Sequence, residues 1–286
     1  MSNPVDASTL LNDAAARQLA NTTKTPPQWV GATPRWLVQL LPWTPVEAGV
    51  YRVNQVIDNK FAVQCSPELG SQLPTAFIDY EPKPREYLLN TVSTTVQVST
   101  RISDLYRSPM EQVKEQLRIA VERLKEKQED ELINNGAYGL VNNVHESMRV
   151  KSRDGKPTPD DLDELLSRVW KEPSFFLAHP RAIAAFGREC TWRGVPIIPC
   201  DKLHLAGNKA DFLLLRTGEQ RRGVVGLFQP GLPGEVSPSL SVRLMGIDQR
   251  GVAAYLVSLY CSAAALTSDA LGALESVEVD GYHEYK

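Results

Sequence analysis

The sequence predicts an α+β fold. Strand-like segments are concentrated between residues 49 and 102 and again after residue 195, and two well-marked helices lie between these regions. The strands and helices do not alternate at the spacing of βαβ units, which a doubly wound parallel sheet would require. With 286 residues, 42% of them hydrophobic, the chain is long enough to bury a sizeable core.

The N-terminal region predicts a weak amphipathic helix over residues 8–20, followed by an extended arm. Residues 25–53 hold three of the five tryptophans and five prolines, and proline blocks helix and central-strand geometry. At most one short helix fits, around residues 35–41. Large apolar side chains on such an arm need a cover, so we predict an assembly interface at Trp29, Trp36, Leu37, Leu40 and Trp43. A proline-rich segment that wraps its own domain is an equally good interpretation of this stretch alone.

Residues 49–102 predict several strands separated by turns. The last one alternates with period two over residues 92–102 and carries few large apolar side chains, which is typical of an exposed ribbon rather than a central strand. We therefore expect this region to lie across a neighbouring subunit rather than in the core of its own chain. Val92, Val96 and Val98 are its predicted interface residues.

The best-defined helix begins at the capping box formed by residues 108–111 and ends before Gly136. It is highly charged with a narrow apolar stripe, which predicts a solvated helix at the edge of a domain. A second helix begins with Thr158 as its N-cap, followed by Pro159 and acidic residues that complement the helix dipole.

The C-terminal half predicts mixed short elements. Residues 174–188 favour a strand or turn followed by a helix, and short strands are expected at residues 195–198, 211–216, 223–228 and 240–245. Residues 251–266 form the most apolar run of the chain. This run is too short to span a bilayer, and we predict a buried helix there.

The sequence shows no recognisable catalytic constellation, metal-site motif or cofactor-binding motif. The four histidines are not at ligand spacing, and the four cysteines are scattered without a CxxC pair, as expected for reduced thiols of a cytosolic protein. The opening residues do not resemble a signal peptide, and no membrane partner is expected. A net charge of −3 without a basic stripe argues against nucleic-acid binding.

Longer strings carry a resemblance that covers nearly the whole chain. They include TPRWLVQLLPWTPVEAGVYRVN (residues 33–54), DYEPKPREY (79–87), PTPDDLDELLSRVWKEPSFFLAHP (157–180) and RTGEQRRGVVGLFQPGL (216–232). These strings closely resemble the family 2A encapsulin shell proteins, bacterial nanocompartments that enclose a cysteine desulfurase. Each string alone would be weak, but together they are specific.

The resemblance implies the tailed-phage major-capsid-protein fold of encapsulins. Its parts would be an N-terminal arm (1–48), an extended β loop leading into the peripheral domain (49–102), a spine helix (103–156), an axial domain with returning peripheral strands (157–275) and a C-terminal tail (276–286). It also implies a cytoplasmic, non-enzymatic shell of about sixty copies, the number of rotations in the icosahedral group. The shell itself would need no cofactor. The cargo desulfurase would carry pyridoxal phosphate and mobilise sulfur for storage in the lumen.

One departure from the family pattern lies at Cys190 and Thr191, where the family has a longer segment. Either the segment is deleted, or a mobile loop is missing from the sequence, and we favour the missing loop. This part of the axial domain points to a symmetry axis in capsid-type shells, so Cys190 and Thr191 are the candidate pore-lining residues. A phage or prophage capsid protein, which shares the fold, and an enzyme of unknown type are the alternatives.

Overall fold

The computed structural model describes residues 36–47, 49–54, 64–65, 69–75, 80, 82–99, 112–187 and 191–279. The predicted helix at residues 8–20, the capping box at residues 108–111, Trp29 and Cys190 lie outside these ranges. No helix of the described residues is long and apolar enough to cross a membrane.

The described residues form four α-helices and fourteen strands. The helices are α1 (Trp36–Leu40), α2 (Gln112–Asn134), α3 (Pro159–Arg168) and α4 (Pro180–Phe186). The first strands are β1 (Trp43–Pro45), β2 (Val50–Val53), β3 (Arg85–Leu88), β4 (Asn90–Ser99) and β5 (Arg149–Lys151). Next come β6 (Phe175–Ala178), β7 (Thr191–Trp192), β8 (Val195–Pro199), β9 (Lys209–Leu215) and β10 (Val224–Phe228). The last are β11 (Glu235–Ser237), β12 (Leu240–Ile247), β13 (Val252–Ala265) and β14 (Leu271–Glu278).

Two six-stranded sheets organise the fold. The first has the order β1-β10-β13-β12-β11, and β4 also pairs with β13. The second has the order β5-β14-β9-β6-β8-β7. A separate antiparallel pair, β2 and β3, forms a two-stranded ribbon. The largest apolar cluster joins the two sheets and includes Leu37, Leu132, Leu213 and Ala263.

The two helices marked by the sequence are confirmed. The long helix α2 occupies 23 residues of the predicted range. The α3 helix begins as expected, because the Thr158 hydroxyl accepts a hydrogen bond from the Asp161 N–H and the Asp161 carboxylate accepts one from the Thr158 N–H. Asp161 is therefore a fully buried capping residue rather than a member of a functional acidic cluster.

The predicted helix at residues 251–266 is wrong, because this run is the 14-residue strand β13. It pairs with β4 on residues 252–261, with β12 on residues 253–259 and with β10 on residues 261–265. The residues of β13 are apolar on both faces of the sheet, so the sequence lacks alternation and resembles a buried helix. The backbone hydrogen bonds to three neighbouring strands stabilise this run as a strand rather than a helix.

The prediction that residues 92–102 lie apart from the core of their own chain is wrong in part, because the described residues pair with a core strand although most of them are exposed. Ten residues of β4 pair with β13, and the Val98 side chain is fully buried within the chain. Within the predicted region, a two-stranded ribbon separate from the two large sheets is formed by β2 and β3, which pair only with each other among the described strands. Exposed Thr, Ser and Gln side chains on one face of β4 produced the sequence pattern, since that face has no cover in the described chain.

Candidate assembly surfaces

The arm is fixed to the long helix through its short helix α1. The backbone N–H groups of Leu37 and Val38 each donate a 3.0 Å hydrogen bond to the Glu129 carboxylate. These groups belong to the first turn of α1, where backbone donors have no partner within the helix and a negative charge is favourable. Glu129 is 1% exposed, so its charge is placed at this helix end in a largely water-free site.

Trp43 continues this attachment at β1. Its indole N–H donates to the Val38 carbonyl at 2.9 Å, and its ring lies against Gly226 of β10, the residue with which it pairs. A Cβ atom on Gly226 would come within 2.7 Å of the ring. Glycine at this position is therefore required by the close approach of the indole.

The predicted arm residues consequently divide into two groups. Leu37 is completely buried and Trp43 is half-buried, both by their own chain. Leu40 is exposed, and it is the described arm residue whose apolar side chain faces outward. Trp36 begins α1. Whether Trp29 and Trp36 contact another subunit stays a prediction.

The three valines of β4 face the long helix. Val92 and Val96 are half-buried against a cluster that includes Leu124 of α2 and Val257 of β13, and Val98 is fully buried. The chain itself therefore covers much of the surface of these side chains, and little apolar surface remains for contact with another subunit. Their predicted role in assembly stays a prediction, and Val98 is its weakest member.

A more exposed apolar surface lies on β12 and was not predicted from the sequence. Strand β11 pairs only with the first residues of β12, at Leu240 and Ser241, so the outer edge beyond Val242 has no strand partner among the described residues. Leu244, Met245 and Ile247 on this segment are each more than half exposed. An unpaired apolar edge strand is a template for association. Leu244 and Met245 at the end of the strand predicted for residues 240–245, with Ile247 just beyond it, were the available sequence signal.

A tight hairpin follows the junction at Cys190 and Thr191. Exposed Thr191 opens β7, and Arg193 and Gly194, both with positive φ, form the two-residue turn to β8. The Arg193 guanidinium makes two hydrogen bonds to the Asp163 carboxylate, at 2.6 and 2.7 Å, and the Trp192 indole donates to the same carboxylate at 2.8 Å. These hydrogen bonds, led by those of Arg193, lower the pKa of Asp163. The hairpin is thereby attached to α3.

A buried ion pair joins the second sheet to the turn before β14. Arg216 is 1% exposed and contacts the Asp269 carboxylate at 2.8 Å, while Lys171 contacts it at 3.0 Å from the surface. Burial alone would raise the pKa of Asp269, but the hydrogen bonds from Arg216, Thr267 and Lys171 outweigh it and hold the pKa well below its ordinary value.

The remaining titratable groups do not form a reactive site. Within the described ranges no group of three or more His, Cys, Asp or Glu side chains could hold a metal ion. Burial raises the pKa of the thiols of Cys200 and Cys261 to about 12, so both are inert at neutral pH. His179 caps α4 by accepting a hydrogen bond from the Arg181 N–H, which is a structural role.

Comparison with known proteins decides the family. The model of the SrpI-like family, described as type 2A encapsulin shell protein SrpI-like, matches residues 48–191 and 190–281. The chain belongs to this family. The two matched ranges meet at Cys190 and Thr191, the junction at which the sequence departs from the family pattern. Whether the intervening segment is deleted or missing from the sequence stays a prediction.

Individual relatives agree with this assignment. The type 2A encapsulin shell protein SrpI of Synechococcus elongatus is 59% identical over 295 residues, covering 96% of each chain. The structure of the holo-SrpI encapsulin complex from Synechococcus elongatus matches with a TM-score of 0.82 and 58% identity, covering 97% of this chain and 99% of that one. This type 2A encapsulin is therefore a structural shell protein, and the enzyme alternative is excluded.

The wider fold is that of tailed-phage major capsid proteins. The capsid of a native GTA particle matches with a TM-score of 0.63 at 15% identity, covering 93% of this chain and 99% of that one. At this identity the likeness shows the fold alone. The family match, not the fold, separates the encapsulin from the phage-capsid alternative.

Proposed function

We propose that this encapsulin assembles into a closed icosahedral shell of about sixty identical subunits, the number of rotations in that point group. We further propose that the shell encloses a cysteine desulfurase in the cytoplasm and serves sulfur mobilisation or storage. The observation that carries the proposal is the close match, over 97% of the chain, to a subunit of a holo-encapsulin complex.

The isolated subunit has surfaces that favour assembly. The edge of β12 combines unpaired backbone groups with the exposed side chains of Leu244, Met245 and Ile247. The β2–β3 ribbon exposes Leu88 and pairs with no other strand of the described chain. Apolar edges of this kind are aggregation hazards in a monomer and become useful when identical copies cover them in a closed arrangement.

The cargo part of the proposal rests on the family resemblance. The resemblance implies that the chemistry in the compartment comes from an enclosed enzyme rather than from the shell. A desulfurase carries pyridoxal phosphate, which gives the cargo a visible absorbance that the shell protein lacks.

The experiment is co-expression of the untagged shell protein with a tagged cysteine desulfurase from the same genome, followed by sizing and density-gradient centrifugation. We expect desulfurase activity and pyridoxal phosphate absorbance to migrate with the particles and to resist added protease. An unrelated tagged pyridoxal phosphate enzyme, expressed identically, is the matched control and should remain in the soluble fractions. If the desulfurase separates from intact particles as the control does, the cargo assignment is wrong while the shell assignment stands.

A further inference from the structure

A cavity lies beside the β2–β3 ribbon. Its volume is about 590 Å³, within the range of small-molecule sites. The ribbon contributes Tyr51 and Arg52 to one wall. The opposite wall comes from the loop between β9 and β10 and from the turn between β13 and β14.

The lining of this cavity is strongly cationic. Its two carboxylates belong to Glu219 and Asp269, and its five cationic side chains are those of Arg52, Lys171, Arg216, Arg221 and Arg222. Asp269 is already shared by Arg216 and Lys171, and Glu219 lies close to the Tyr51 hydroxyl. The cavity therefore has an excess of positive charge that its own acids do not neutralise.

Three of the arginines that line the cavity are available to a ligand. The Arg222 guanidinium has no hydrogen-bond or ion-pair partner among the described residues, and Arg222 holds a positive φ of 52°. Arg52 and Arg221 pair only with Glu86 and Glu172, acids at least half exposed outside the cavity, and such surface pairs are weak. At the inner wall, the Nε–H of buried Arg216 lacks an acceptor in the described chain.

We propose that this cavity binds a small oxyanion ligand, with phosphate or sulfate groups held between Arg52 of the ribbon and Arg222 of the opposite wall. Guanidinium groups bind such groups through paired, charge-assisted hydrogen bonds. A polyvalent anion fits better than a single carboxylate, because cations approach from both walls. Bound in this way, the ligand links the ribbon to the body of the subunit.

The test is calorimetric titration of the assembled, full-length protein with inorganic pyrophosphate and, separately, with sulfate. We expect saturable binding of pyrophosphate that weakens as the salt concentration rises. Arg52→Gln and Arg222→Asn should each weaken it about tenfold, and asparagine is chosen because it tolerates a positive φ. Arg52→Lys keeps the positive charge, so it should lose less affinity for pyrophosphate than Arg52→Gln does.

The matched control is Arg250→Gln, an exposed arginine at the opposite end of β13, which should bind as the unchanged protein does. Sizing of every variant separates a loss of binding from a loss of assembly. The proposal is overturned if pyrophosphate does not bind at millimolar concentration, or if the Arg52 and Arg222 variants bind as tightly as Arg250→Gln. Binding by dissociated subunits but not by particles would also overturn it, since a neighbouring copy would then fill the cavity.

Discussion

The backbone N–H of Leu37 donates a 3.0 Å hydrogen bond to Oε1 of Glu129, a residue 92 positions further along the chain. The second oxygen of the same carboxylate accepts from Val38. One buried side chain thus connects the N-terminal arm to the long helix α2. A shell protein needs its arm in a defined position, because the same surface must be presented identically by every copy.

Replacing Glu129 by glutamine should release this attachment. The amide keeps the size of the side chain but removes the charge and places an NH₂ group against a backbone donor. We expect a loss of about 1–3 kcal/mol in the free energy of unfolding, measured by chemical denaturation, together with faster proteolysis near residue 36. Glu146→Gln, an exposed acid on a short 3₁₀ turn, is the control. Equal stability of the two variants would show that the carboxylate does not hold the arm.

The contact between Trp43 and Gly226 should not tolerate a methyl group. Gly226→Ala forces the indole or strand β1 to move, and overpacking of this kind costs about 1–3 kcal/mol. We expect a lower melting temperature and a changed tryptophan emission spectrum. Gly136→Ala is the matched control, since a Cβ atom there meets nothing within 4 Å. Unchanged melting of Gly226→Ala would contradict the packing described here.

The sequence predicted the elements that depend on local chemistry and missed those that depend on distant partners. Thr158 and Pro159 mark the start of α3 because capping is decided within four residues. Strand β13 was mistaken for a helix because its state depends on β4, more than 150 residues earlier in the chain. Glu129 resembled one more charge on a solvated helix, since only the folded arm shows what it binds.

The pH dependence of stability should include a contribution from Asp269. Its pKa is lower in the folded than in the unfolded chain, so the stabilisation is present above the unfolded value of about 4 and is lost as the pH falls towards the folded value. Asp269→Asn should therefore lower stability at pH 7, by about 3 kcal/mol, because Arg216 loses its buried partner.

The same variant should also lose less additional stability than the unchanged protein as the pH falls below about 4, the pKa of the unfolded carboxyl. Denaturant titrations at a series of pH values measure both effects. Asp201→Asn, at an exposed acid beside Lys202, is the control and should follow the unchanged protein. A parallel pH profile for Asp269→Asn would refute the assigned role.

The β7–β8 hairpin should loosen when Asp163 is removed. Asp163→Ala deletes the acceptor shared by Trp192 and Arg193, so we expect faster hydrogen exchange at the hairpin amides without a change in the exchange of α2. Asp160→Ala, at an exposed acid in the first turn of the same helix, should leave the hairpin unaffected. If the two variants exchange alike, the hairpin is held by other contacts.

The central claim is that this chain closes into a shell, and the mass of the purified full-length protein tests it most directly. Analytical ultracentrifugation at micromolar concentration should show one dominant species of about sixty subunits of 31.7 kDa, a mass of ~1.9 MDa. Negative-stain images of the same sample should show uniform hollow particles. A distribution containing only monomers and dimers would contradict the account.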